Sequence, residues 1–471
     1  QIQPRIRSAG NTGRPGRGSR RKSGRSPCNR RPREGRMMTG PGNAGSRAAA
    51  TARARRRGAL ALLLSGVAFP AAAQSTASAA PASAPRGVGG AASPSRDNVT
   101  FSIVSRYDSN VARIGDGLTP IVTRAQGDDI RITPSVTLDV ARNLGRHQIG
   151  LQSSLGYDFY TRNPSLDSER ILVNPFVYLD LPVCDLYLSG TARRRRTSLG
   201  DIVFLTQPNL DAALDNKETY RRASAQVTCG NTYGLRPGIT VEYADGRNSS
   251  SLRRIADFST TRIQPTLSYA GPALGEISLF ATRTETDLPN QRSATGGDAG
   301  YILRGAGLGY RRAIGSRLTF DGSVSWVELT PRSGTLGSRS GLNGSANLSL
   351  VAGPRLQLVA FANRAFNSSL TSSARYELGE SYGLTANYAA SDRLRLRAGG
   401  QVSPRRYFFD PVPTGPFISQ QTHSDIFAGA SVSLNRRMSL TFDTGYQKRT
   451  ANVPDFNYEN YYAAVGFTFR L

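Results

Sequence analysis

Residues 456–471 read FNYENYYAAVGFTFRL, and the alternation within them decides the fold. Every second residue counted back from the end, Leu471, Phe469, Phe467, Val465, Ala463 and Tyr461, is apolar or aromatic. The interleaved set, Arg470, Thr468, Gly466, Ala464, Tyr462 and Asn460, is mostly small or polar. Successive side chains of a strand point to opposite faces, so this period of two predicts a strand with one greasy side. A strand of about ten residues tilted by about 45° crosses a bilayer core, and this one is long enough.

The same grammar extends upstream. Val99, Phe101, Ile103 and Tyr107 oppose Thr100, Ser102, Arg106 and Asp108; Ile130, Ile132, Val136 and Leu138 oppose Arg131, Thr133, Ser135, Thr137 and Asp139; Ile149, Leu155, Tyr157 and Phe159 oppose Gln148, Gln152, Ser154 and Asp158. Further strands are predicted near 170–181, 185–195, 219–229, 233–244, 259–270, 275–285, 300–311, 317–329, 341–351, 355–365, 379–389, 393–403, 424–435, 438–447 and 457–471, eighteen in all. Turns near 144, 183, 230, 272, 313, 353, 391 and 436 are short, whereas the connections between them, such as Thr197 to Lys217 and Pro404 to Thr422, are long. Short turns on one side, long loops on the other and an even strand count describe an all-β, transmembrane, antiparallel up-and-down β-barrel of about 18 strands.

A soluble β-stack is the alternative, and it needs a second protein layer over half of each strand. Every strand instead shows one apolar face, and nothing in the pattern supplies helices to cover it. In lipid an open edge would leave unpaired N–H and C=O groups at several kcal/mol each, so the sheet must close. Outward aromatics are expected in two girdles: Phe159, Tyr243, Trp326 and Tyr446 towards the long loops, and Tyr269, Tyr310, Tyr388, Phe467 and Phe469 towards the short turns. No stretch of eighteen consecutive apolar residues occurs, and the mean hydropathy of −0.36 suits a barrel whose polar lumen cancels its lipid face.

The formal charge is +27 over 471 residues, but residues 1–73 hold 17 Lys and Arg against Glu34, a local +16, leaving +11 for the rest. Residues 1–36 are too poor in apolar side chains to offset ordering entropy and read as a disordered or untranslated leader. Met37 and Met38 precede a basic run, Arg53, Arg55, Arg56 and Arg57, then the apolar segment Gly58 to Pro70 and Ala71-Ala72-Ala73, so 37–73 reads as a secretory signal peptide. Residues 74–96, rich in Ala, Ser, Pro and Gly, form a flexible periplasmic arm, too short for a plug domain; 97–471 is the barrel. The basic excess is assigned to the leader and the lumen, not to nucleic acid.

Arg106-Tyr107-Asp108-Ser109-Asn110-Val111 resembles the Y-D-x-N-[VI] signature of the beta-barrel porin type 2 family of proteobacterial outer-membrane proteins, over about residues 97–471. The closing strand likewise resembles the C-terminal strand of bacterial outer-membrane barrels, with Leu471 where Phe is commoner. The resemblance implies an integral protein of the bacterial outer membrane, with outer-membrane lipid and the barrel-assembly machinery as partners. It also implies a link to exopolysaccharide export. Both termini are expected in the periplasm.

Cys184 and Cys229 fall at the same end of neighbouring strands, and antiparallel neighbours lie within disulfide reach in an oxidising compartment, so a cross-strand bond is expected; two free buried thiols are the alternative. The lumen-facing arginines, Arg106, Arg131, Arg170, Arg193, Arg195, Arg222, Arg262, Arg393, Arg395 and Arg397, face Asp108, Asp139, Asp158, Asp180, Asp321 and Asp443. They either pair and stiffen the wall or present a positive excess that concentrates anionic solutes or acidic polysaccharide. Tyr160, Tyr178 and Tyr187 offer stacking surfaces for sugars. Asp108 and Asn110 ahead of Ile114 to Gly117 are read as turn chemistry rather than a calcium site. Enzymatic chemistry and a cofactor are not expected: His147 and His423, the only histidines, fall at opposite ends of the barrel without partner patterns. Two functions remain, a porin-like channel and a non-conducting structural or adhesion barrel working through its long loops.

Overall fold

The structure is a computed structural model and describes residues 95–113, 115, 127–197, 215–293, 295–368, 374–410, 412–413 and 417–471. The expected leader, signal peptide and nearly all of the arm lie outside these residues, as do 198–214 of the Thr197 to Lys217 loop and Ile114, Asp116 and Gly117. Eighteen strands follow in chain order. They are β1 Arg96–Asp108, β2 Asp129–Leu144, β3 His147–Tyr160, β4 Ser168–Asp180, β5 Cys184–Arg196, β6 Lys217–Cys229, β7 Gly234–Asn248, β8 Phe258–Gly271 and β9 Gly275–Asp287. The second half continues with β10 Tyr301–Ile314, β11 Leu318–Pro331, β12 Arg339–Ala352, β13 Leu356–Asn367, β14 Tyr376–Ala389, β15 Leu394–Phe408, β16 Gln420–Ser433, β17 Met438–Ala451 and β18 Tyr458–Arg470.

Each strand pairs antiparallel with its sequence neighbours, and β1 also pairs with β18, so the sheet is a closed barrel. At the seam Ile103 is opposite Phe467 and Tyr107 opposite Ala463, and Leu471 N–H donates to Val99 O at 3.0 Å. Closure removes every sheet edge, which a lipid-embedded sheet requires.

The strands run to 13–16 residues in most cases, longer than their apolar alternation suggests. The surplus lies largely at the long-loop end. There the ladder continues above the greasy belt with polar side chains on both faces, as at Arg405 and Arg406, so the period of two fades while the hydrogen bonds persist.

Outward positions form a continuous apolar band: Phe101, Ile103, Leu155, Ile263, Leu279, Leu308, Leu384 and Ile426 are all exposed. Phe159, Tyr243 and Trp326, the last 59% exposed, stand on its long-loop side; Tyr269, Tyr388 and Phe467 stand on its short-turn side. Inside, bulky rings are set over glycine. A Cβ at Gly150 would run into the Phe176 ring and one at Gly383 into Phe361, so glycine at these two inward positions lets an aromatic lie flat on the wall.

At the long-loop end the barrel is capped. Pairing of β12 with β13 stops at Gly344 and Arg364, whereas β13 stays paired with β14 as far as Asn367 and Glu377. Freed from β12, the top of the β13–β14 hairpin leans into the mouth, and Phe366, Tyr376 and Leu378 pack on the lumen-side Tyr301, Leu303, Val327 and Leu329. A second apolar cluster joins Tyr407 of β15 to Val111, Leu166, Phe409, Ile418 and Phe456 from the neighbouring connections.

Candidate functional site

Inward alternation places arginines on several strands at one level of the lumen. Arg131 (β2) and Arg170 (β4) lie 3.8 and 3.7 Å from Asp158 Oδ1, and Thr133 Oγ1 donates to the same oxygen at 2.6 Å. Arg195 (β5) meets Glu218 at 3.3 Å and Arg222 (β6) meets Glu242 at 2.6 Å. Arg193 lies over the Tyr220 ring, 5.5 Å from its centroid, and Arg262 (β8) donates to Gln264 Oε1. Six guanidinium groups thus share three carboxylates, Asp158, Glu218 and Glu242, among the described residues of this band.

Of the other expected arginines, Arg106 stands directly opposite Arg131 with a carboxylate of its own, and the rest lie away from this band. Arg106, 3% exposed, is held by Asp108 at 2.8 Å and lies 4.0 Å from the centroid of Tyr462. Arg397 pairs with Asp443 at 2.6 Å on the opposite wall, and Arg395 is next to it on the same inward face. Arg393 is a correction: β15 begins at Leu394, which leaves Arg393 in the exposed short turn, its N–H directed at Ser391 Oγ. Asp139 pairs with Arg96 at 3.0 Å and Asp321 with Arg311 at 2.6 Å. Tyr178 donates to Asp185 at 3.0 Å, with Tyr187 paired beside it.

Tyr107 faces outward and Asp108 inward, and the motif they belong to sits on the seam. Asn460 Nδ2 donates to Asp108 Oδ1 at 2.8 Å, Asn110 N–H donates to Asn460 Oδ1 at 3.0 Å, and Asn110 Nδ2 donates to Glu459 O at 3.3 Å. Cys184 and Cys229 are directly opposed, Cα atoms 3.9 Å apart, and disulfide-bonded across β5 and β6 at the short-turn end. His147 Nδ1 accepts from Asp180 N–H at 3.2 Å at that end, and His423 is enclosed on β16 near the other.

The cap rests on residues that alternation does not reveal. Arg375 and Asp410, each side chain 0% exposed, pair at 2.5 Å. Arg375 also donates to Ala299 O at 2.6 Å and Asp298 O at 3.1 Å, while Asp410 accepts from Thr335 Oγ1 at 2.9 Å. One ion pair therefore ties together four connections, β9–β10, β11–β12, β13–β14 and β15–β16. Burial alone would raise the Asp298 carboxyl pKa, but Gly300 N–H and the Arg332 guanidinium hold it below the usual value. The bond to Asp298 in turn raises Arg332. Arg449 plays the corresponding part near the seam, donating to Phe456 O at 2.7 Å and lying 4.7 Å from the Tyr458 centroid.

A closed barrel with a lipid-facing belt and a charged lumen defines a porin-like outer-membrane protein. Residues 273–471, β9 to β18, match the family described as "Putative beta-barrel porin 2", the family that the Tyr107 motif resembles. No curated protein matches the chain. Among solved structures it is similar to OccK2 (OpdF) of Pseudomonas aeruginosa, at 11% identity and a TM-score of 0.42 over 80% of this chain and 98% of that one. It is similar to OccK5 (OpdH) of the same organism at 12% identity and a TM-score of 0.40, over 80% and 98%. The siderophore receptor PirA of Pseudomonas aeruginosa is similar at 10% identity and a TM-score of 0.38, over 80% and 81%.

Proposed function

We propose that this barrel is an outer-membrane channel for small anionic solutes, acidic saccharides among them. The observation that carries the reading is the lumen band of six arginines, Arg131, Arg170, Arg193, Arg195, Arg222 and Arg262, against three carboxylates. A barrel of this strand number has room for water, and an unbalanced positive wall raises the local concentration of anions. Planar-bilayer recording in a salt gradient tests it. Arg193→Gln with Arg262→Gln, which removes two of the arginines that have no carboxylate bond, should move the reversal potential towards zero; an unchanged potential disposes of the reading.

The resemblance extends this to assistance in exopolysaccharide export, and inward Tyr178 and Tyr187 support it as sugar-stacking surfaces. In the same reading the chain is non-enzymatic, is exported by the segment 37–73, is inserted by the barrel-assembly machinery through β18, and has both ends in the periplasm.

A second reading, a non-conducting barrel working through its long loops, is favoured by one observation: the apolar clusters and the Arg375–Asp410 pair lie across the mouth. Absence of any conductance step in the purified, heat-modifiable barrel would select it.

A further inference from the structure

The short-turn half of the lumen holds a cavity of about 210 Å³ against the inner faces of β4 to β11. Its chemistry is uneven. Arg236 of β7 lines it at only 7% exposure, its Nε has no acceptor, and its guanidinium makes no ion pair among the described residues. The cavity's carboxylates are otherwise engaged or distant in register: Asp321 is bonded to Arg311 at 2.6 Å, Asp185 accepts from Tyr178 at 3.0 Å, and Glu276 is opposite Arg311. Much of the remaining lining offers hydroxyls and amides, among them Tyr187, Gln226, Thr240 and Ser268.

An enclosed guanidinium without a counter-ion is costly, and an anion brought in from outside removes that cost. The size restricts the guest, because sites for drug-sized ligands run to roughly 300–1,000 Å³, so this one takes a small solute and not a polymer segment. The lining restricts it further. Arg311 is held by Asp321 and Arg262 donates to Gln264, so hydroxyl and amide groups around the unpartnered Arg236 guanidinium suit a molecule with one charge and several hydroxyls, and the two tyrosines offer a face to its carbon skeleton.

We propose that this cavity is a binding site for a small polyhydroxylated carboxylate, with Arg236 taking the carboxylate and Tyr178, Tyr187, Gln226 and Ser268 meeting its hydroxyls. It rests on the channel reading only for the route by which the solute arrives. A charge-assisted hydrogen bond is about twice as strong as a neutral one, so charge should dominate the selectivity.

The test is equilibrium binding to the purified full chain in detergent, by calorimetry, with D-gluconate and its neutral counterpart sorbitol. Gluconate should bind at least about tenfold more tightly than sorbitol, and Arg236→Gln should abolish the difference while the barrel keeps its heat-modifiable migration. Equal affinities in the unaltered protein, no gluconate binding, or gluconate binding unaffected by Arg236→Gln would each overturn the proposal. The first two need no variant to fold. Binding does not require conduction, so an unselective or silent channel that still prefers gluconate keeps the site and removes only the channel reading.

Discussion

Asp108 Oδ1 accepts a hydrogen bond from Asn460 Nδ2 at 2.8 Å, joining the first strand of the barrel to the last across 352 residues of sequence. The same carboxylate holds Arg106, and Asn460 accepts from Asn110 N–H, so the Tyr107–Asn110 motif acts as a clasp on the seam. Asp108→Ala strands a buried guanidinium and should cost about 3–5 kcal/mol, whereas Asn460→Ala removes hydrogen bonds but leaves the Arg106–Asp108 pair in place and should cost about 1–3 kcal/mol. Urea unfolding in lipid vesicles measures both, and the reverse order would contradict the clasp.

The Cys184–Cys229 bond closes a separation of 45 residues. Loop-closure entropy sets a ceiling of roughly 4 kcal/mol on what its loss takes from stability. Alkylation without reductant followed by mass spectrometry should leave both cysteines unlabelled, and labelled thiols at both positions would refute the pairing.

Arg375 is the tie of the cap. Arg375→Ala leaves Asp410 enclosed without its cation, so the connections 332–338 and 409–419 should become sensitive to protease while the strands stay protected. Replacing the pair together by apolar residues, Arg375→Met with Asp410→Leu, should restore much of the protection. Equal sensitivity of the single variant and the unaltered chain would show that the ion pair does not hold the loops.

Asp298 carries a pH signature. Its carboxyl pKa is depressed in the folded state, so its bond to Arg332 contributes fully above the usual carboxylate value and fades only as pH falls through the lowered one. Hydrogen exchange in the 288–300 connection should therefore be flat from pH 7 to about 4, once corrected for intrinsic rates, in the unaltered chain. Asp298→Asn should raise exchange across that whole range.

The wall was legible in the sequence and the cap was not. Strand number, pairing order and inward placement of Arg131, Arg193, Arg195 and Arg397 follow from alternation, because lipid on one side and water on the other enforce a period of two. Glu218 and Glu242, which share the arginine band, stood at inward positions and could have been found by the same parity. Arg375 and Asp410 carry no such signal, since loops follow no period and their partners come from four distant connections. Arg236 was hidden for another reason: its position is regular, and only an unbonded Nε and the lack of an ion pair among the described residues set it apart.

The central claim is that lipid covers the outer face of a sealed barrel, and the chain's single tryptophan, Trp326, reports on it directly. In vesicles containing brominated phospholipids its fluorescence should be strongly quenched, most by bromines near the headgroup end of the acyl chain, and little by aqueous iodide. Quenching by iodide with none by brominated lipid would contradict the account.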